Sequence, residues 1–152
     1  STSTGNGYNF VPSTLYSAYK RLNQDTEKVA TLKCSQMADR FSITTSRGNA
    51  DLTYPVALIT ADEVALAGGK SNLKNEEYYL RTNGYYFTMT PSRFHATYAS
   101  ARVYSVNSTG ELYLWYLVTN SYGVRPVINI RSDVLIQEGD GTSENPFILQ
   151  LA

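Results

Sequence analysis

The chain has 152 residues, the usual size of one domain with room for a buried core. Lys plus Arg number 13 and Asp plus Glu number 13, and charged residues make up only 17%, so the basic field that a nucleic-acid binder needs is missing. No window approaches the ~20 apolar residues of a membrane-spanning helix, so no direct membrane insertion is expected.

The opening STSTGNG is poor in apolar residues and reads as a flexible tail, residues 1–7, an expected boundary at which a leader or anchor could have been removed. Residues 8–152 read as a single domain. Pro12 through Leu22 reads as a helix: Pro12 suits the first helical position, and Leu15, Tyr19 and Leu22 form one apolar stripe. Lys20 and Arg21 would face the negative end of its dipole.

Val29 to Cys34 and Arg40 to Thr44 read as short strands, with a turn at Ser46–Asn49. Tyr54 to Ile59 is a compact apolar run, expected as a buried strand with Pro55 at its start or on an edge. Thr60-Ala61-Asp62-Glu63 is a capping box that opens a helix, and Gly68-Gly69 stops it. Asp62 and Glu63 are a pair of acids, but a cap role accounts for both.

Lys70 to Glu77 reads as a polar loop. Tyr78 to Thr82 is expected to be extended, to turn at Asn83-Gly84 and to return as Tyr85 to Met89. Pro91 is expected to break that strand, leaving Ser92 to Ser100 as an aromatic loop. Arg102–Val106 and Glu111–Val118 read as a hairpin over Asn107–Gly110. In its second arm Leu112, Leu114, Tyr116 and Val118 share one face, and Tyr113, Trp115 and Leu117 the other. Val124–Ile130 reads as a strand, Gly139–Pro146 as a turn-rich loop and Phe147–Leu151 as a closing strand. Helices early and strands late give an α+β class with a mainly antiparallel sheet.

Tyr is concentrated between residues 78 and 130, alongside the sole Trp (Trp115) and the sole His (His95). Tyr combines a large flat surface, a polar tip and few torsions, which suits a contact face; it is also at home in sheet cores. The catalytic alternatives are poorly supplied. His95 has no G-x-S-x-G serine to serve, and Cys34 has no local signature of an activated thiol. Three or four zinc ligands are lacking. Asp140, Glu144 and Asn145 offer oxygens in a Gly-rich loop, but their spacing is not that of an EF-hand, and a solvated turn accounts for them. The chain therefore reads as no enzyme, with no cofactor and no metal site.

Three segments resemble a family of exported bacterial domains: Leu52–Gly69, Tyr78–Phe94 and Gly123–Phe147, the last carrying G-V-R-P-V. That family is similar to the C-type lectin-like fold, in the branch shared with formylglycine-generating enzymes. The resemblance implies that Arg81 and Arg125 organise the scaffold. It also implies kinship with the variable proteins of diversity-generating retroelements, which display a changing surface outside the cell or on a phage. The positions matching their variable interval are Ser92, Arg93, His95, Thr97, Tyr98, Tyr113, Trp115, Tyr116, Asn120, Ser121 and Tyr122. The implied partner is a protein or glycan ligand on another surface, and the implied location is extracellular, on a cell surface or virion. The chain departs from the pattern in two ways. It has one Cys where formylglycine-generating enzymes use a pair, and Glu144-Asn145-Pro146 is the wrong order for a calcium-binding lectin. The rival expectation is a structural subunit of a pilus-like or cell-surface assembly, its tyrosines packed against a neighbouring copy.

Overall fold

The computed structural model describes residues 14–24, 29–33, 41–42, 50–51, 53–54, 56–95, 99–128, 130, 133–142 and 144–151. In chain order the elements are β1 (Thr14–Leu15), α1 (Ser17–Tyr19) running on as a π-helical turn (Lys20–Gln24), β2 (Phe41–Ser42), β3 (Ala50–Asp51), β4 (Val56–Leu58), α2 (Ala61–Leu66) and β5 (Lys70–Ser71). Then come β6 (Tyr86–His95), β7 (Ser100–Val106), β8 (Glu111–Tyr113), β9 (Gly123–Val124), β10 (Pro126–Ile128), β11 (Val134–Glu138) and β12 (Ile148–Leu151). The class is α+β, with mostly antiparallel and partly parallel sheets. The expected tail, Pro12, Cys34, the Ser46–Asn49 turn and Pro55 lie outside the described residues.

The first helix is shorter than its sequence pattern. Thr14 and Leu15 are drawn into the sheet opposite Phe94 and Arg93, so helical winding starts only at Ser17. The apolar stripe still works as expected: Tyr19 and Leu22 are buried, and Leu15 packs against the same cluster. Arg21 stands in the last turn, as expected, and has a second role. Its guanidinium forms a two-pronged pair with Asp62.

The second helix follows its sequence signals closely. Thr60 Oγ1 accepts the Glu63 amide at 3.1 Å, while the Thr60 amide donates to the Glu63 carboxylate at 2.7 Å. Gly68, at φ +100°, reverses the chain so that the amides of Gly68 and Gly69 close on the carbonyls of Ala65 and Val64. Asp62 is a correction. It is buried and joins Arg21 and the Thr31 amide, so it fastens the two helices and the following segment rather than acting as a cap. Residues 29–33 form no strand; Thr31 is held by that bond instead.

The main sheet runs β1-β6-β7-β8-β5, with β9 also on β6. Contrary to expectation, β6 continues through Pro91 to His95. Its ten residues lie opposite the seven of β7, and the register shifts fall on either side of Pro91. Pro91 is exposed within these bulges, where its missing N–H costs no ladder bond. Tyr78 to Thr82 forms turns rather than an extended arm, so the Asn83-Gly84 bend closes no hairpin. The hairpin over Asn107–Gly110 forms, but its second arm is regular strand only over Glu111–Tyr113 and not through to Val118 as expected. Asn107 Oδ1 takes the Thr109 and Glu111 amides, and Gly110 sits at φ +72°.

The core lies between the helices and one face of this sheet. Ala18, Tyr19 and Leu22 meet Ile59, Ala61 and Val64 over Tyr78, Tyr86, Tyr104, Val106, Leu112 and Leu114. Each fully buried aliphatic side chain of this set contributes about 1.5–3 kcal/mol. Inside the sheet, Thr88 donates to the Tyr104 carbonyl at 2.8 Å and Ser92 to the Leu114 carbonyl at 2.9 Å. Leu112 and Leu114 point inward together, as their spacing predicts. The Tyr54–Ile59 run is only partly buried: β4 pairs with β10 alone, leaving Val56 exposed while Ile59 enters the core.

The β11–β12 ribbon was not foreseen on its β11 side. Among the described residues its two strands pair only with each other, and Leu135, Ile136, Ile148 and Leu149 are exposed on it. No helix of the described residues is long and apolar enough to cross a membrane.

Candidate functional site

The tyrosine-rich interval divides into a buried set and a surface set. Tyr78, Tyr86 and Tyr104 are core residues, and burial raises the ionisation of all three phenols above the usual tyrosine value. Tyr104 also donates to the Ala18 carbonyl, fixing the first helix to the sheet.

The surface set gathers around Tyr122. The β9 strand runs parallel to the start of β6, and the Gly123 amide donates to the Tyr85 carbonyl at 2.8 Å. That pairing lays Tyr122 beside two alternate residues of the neighbouring segment. Its ring stacks on Tyr85 at 5.2 Å and meets Phe87 at 5.0 Å. Tyr116 completes the group, 4.9 Å from Tyr122, 5.3 Å from Tyr85 and 4.7 Å from Tyr113. Asn120 donates its side-chain amide to the Tyr122 hydroxyl at 2.9 Å. Tyr85 is exposed, while Phe87, Tyr113, Tyr116 and Tyr122 are half-buried. Partial burial, with the neighbouring Tyr85 phenol next in weight, raises the ionisation of Tyr116. The result is a fixed plate of five rings, with the Asn120 amide tied to the Tyr122 hydroxyl.

Trp115 stands apart from that plate. Between the Ser105–Tyr113 pair and the Arg102–Leu117 bridge, one extra residue falls on the second arm. The offset keeps Tyr116 with Tyr113 and separates Trp115 from both, contrary to the strict alternation read from the sequence. Trp115 instead meets Arg93, whose Cζ is 5.4 Å from the ring centre, and Arg102, at 5.2 Å.

Of the expected positions, Tyr113, Tyr116, Asn120 and Tyr122 come together, with exposed Ser121 beside them. Arg93 and Trp115 form the second group. His95 ends β6 opposite Ser100, so it lies on a strand and not in a loop. Ser92 is corrected: with 0% exposure and its hydroxyl spent on Leu114, it cannot touch a ligand. Thr97 and Tyr98 lie outside the described residues. Tyr85, Phe87 and Arg102 were missed. The alternation of Tyr85 and Phe87 against inward Tyr86 and Thr88 was a usable signal; that of Arg102 depends on register and was not.

Arg125 and Arg81 each contact another part of the chain. Arg125 lies over the Tyr86 ring at 4.9 Å, and Arg81 donates to the Ser108 carbonyl at 3.3 Å. Asp140 is occupied locally: its carboxylate accepts the Thr142 amide and hydroxyl, which hold its ionisation below the usual carboxylate range. Among the described residues, no three His, Cys, Asp or Glu side chains converge as a metal site.

Fold and site together define an α+β chain that presents a tyrosine plate on one side of a mixed sheet. No family model matches the chain, and no curated protein or solved structure matches it either.

Proposed function

We propose that the chain is a non-enzymatic binding module, displayed outside the cell or on a virion, which recognises a protein or glycan partner through the plate around Tyr122. The observation that carries this reading is the set of mutually braced rings from Tyr85, Phe87, Tyr113, Tyr116 and Tyr122, left partly open to solvent. Rings held by one another lose little entropy on binding, and tyrosine supplies contact area together with a hydrogen-bonding tip. In this reading the fold is C-type lectin-like, and the internal roles of Arg81 and Arg125 fit the scaffold of that resemblance.

The same reading makes the module a target of a diversity-generating retroelement. Resequencing the gene and its flanks across its native population tests this. The expected result is a near-duplicate of the coding segment for residues 92–122 beside a reverse-transcriptase gene. Adenine-linked changes should fall at Tyr113, Tyr116, Asn120, Ser121 and Tyr122 and spare buried Ser92 and Leu114. An invariant segment with no such copy overturns the diversification.

A second reading, a structural subunit of a surface assembly, is favoured by the exposed apolar ribbon of β11 and β12. Sedimentation at rising concentration separates the two: self-association supports the subunit, and a persistent monomer the receptor.

A further inference from the structure

Arg93 and Arg102 are direct partners across β6 and β7. Residues paired in this way project to the same face with Cβ atoms about 5 Å apart, where like charges repel. Among the described residues no carboxylate pairs with either guanidinium. Their shared neighbour is the Trp115 ring. A ring face attracts each cation but carries no net charge. The Nε atoms of both arginines are buried without a hydrogen-bond partner, and so is Ser100 Oγ. Ser100 lies two residues from Arg102 on β7 and therefore on the same face. Two positive charges and several donors thus converge on a tryptophan that is still 36% exposed.

We infer that Arg93, Arg102 and Trp115 form a receptor for a carboxylate side chain carried by an acidic, partly apolar segment of a protein partner. The planar guanidinium fork matches a carboxylate. Two such groups on a chain of zero net charge make a point receptor and not a track for a polyanion. Leu117, bridged to Arg102, gives the flanking apolar contact that a peptide side chain would use. Along β7, Arg102 and Ser105 fall on opposite faces, and Ser105 pairs with Phe87 and Tyr113 of the tyrosine plate. The receptor is therefore separate from that plate and does not depend on it.

Trp115 is the sole tryptophan, so its fluorescence and its indole N–H resonance report on this place alone. The intact chain is titrated with the capped peptide Leu-Glu-Glu-Val, with its Leu-Gln-Gln-Val counterpart and with an oligogalacturonate. The expected result is a saturable Trp115 response to the Glu peptide, at least about tenfold stronger than to the Gln peptide and weakening with salt. Arg93→Gln and Arg102→Gln should each weaken it by about tenfold or more, Arg102→Lys by less, and Tyr85→Ala not at all. Circular dichroism checks that each variant is folded, and Arg102→Lys serves if Arg102→Gln is not. No response, an equal response to the Gln peptide, or no effect of the arginine variants would reduce the group to a cation–π clasp. Preference for the oligogalacturonate would assign it to acidic glycans and overturn the protein-partner inference.

Discussion

Arg21 and Asp62, 41 positions apart in the chain, are joined through both carboxylate oxygens: Nη2 lies 2.6 Å from Oδ2, and Nε 3.2 Å from Oδ1. The Thr31 amide adds a further bond at 2.9 Å. Three segments of the chain therefore meet at one carboxylate. Asp62→Ala strands a half-buried guanidinium and should cost about 2–3 kcal/mol in urea unfolding. Arg21→Met with Asp62→Leu should recover much of that loss, because the paired desolvation cost disappears as well.

The capping box at Thr60 and Glu63 makes a smaller, local claim. Thr60→Ala removes the acceptor for the Glu63 amide and should cost about 1 kcal/mol. Thr60→Ser should cost less than half of that. Equal losses in the two variants would show that the hydroxyl is not the acting group.

Gly110 is required for two reasons at once. Its φ is +72°, and a Cβ there would collide with the Asn75 carbonyl oxygen. Gly110→Ala should destabilise by about 2 kcal/mol or more, with the β7–β8 hairpin the first region to exchange its amide hydrogens.

Alkaline pH should unfold the chain through its buried phenols. In the unfolded chain Tyr78, Tyr86 and Tyr104 ionise near 10.0, and folding raises each above that value. A group with a raised folded value gives its full stabilisation below the unfolded value and loses it as pH climbs beyond. Urea midpoints should hold steady up to pH 10.0 and fall above it. Phenolate absorbance of the buried set should rise only with loss of the circular dichroism signal. Reversible ionisation of every tyrosine near 10.0 in a folded chain would contradict the burial.

What the sequence revealed was mostly local. The Thr60–Glu63 box, the Gly68-Gly69 stop, the Asn107–Gly110 hairpin and the inward pair Leu112 and Leu114 each need only neighbours a few residues away. The passage of β6 through Pro91 was hidden because the bulges that tolerate it are set by β7. Asp62 looked like a cap because its partner Arg21 is distant in sequence. The tyrosine plate was legible as a composition but not as a geometry. The parallel pairing of β9 with β6 selects Tyr85 and Phe87 as neighbours of Tyr122, and one extra residue before Leu117 separates Trp115 from them.

The account rests on the Tyr122 plate lying on the outside while Tyr104 lies inside. Chemical denaturation of Tyr116→Ala beside Tyr104→Ala measures that division. Tyr116→Ala should cost about 1 kcal/mol, as a half-open ring would, and Tyr104→Ala about 3–5 kcal/mol, as a fully buried one would. A loss at Tyr116 as large as that at Tyr104 would make the plate part of the core and contradict the account.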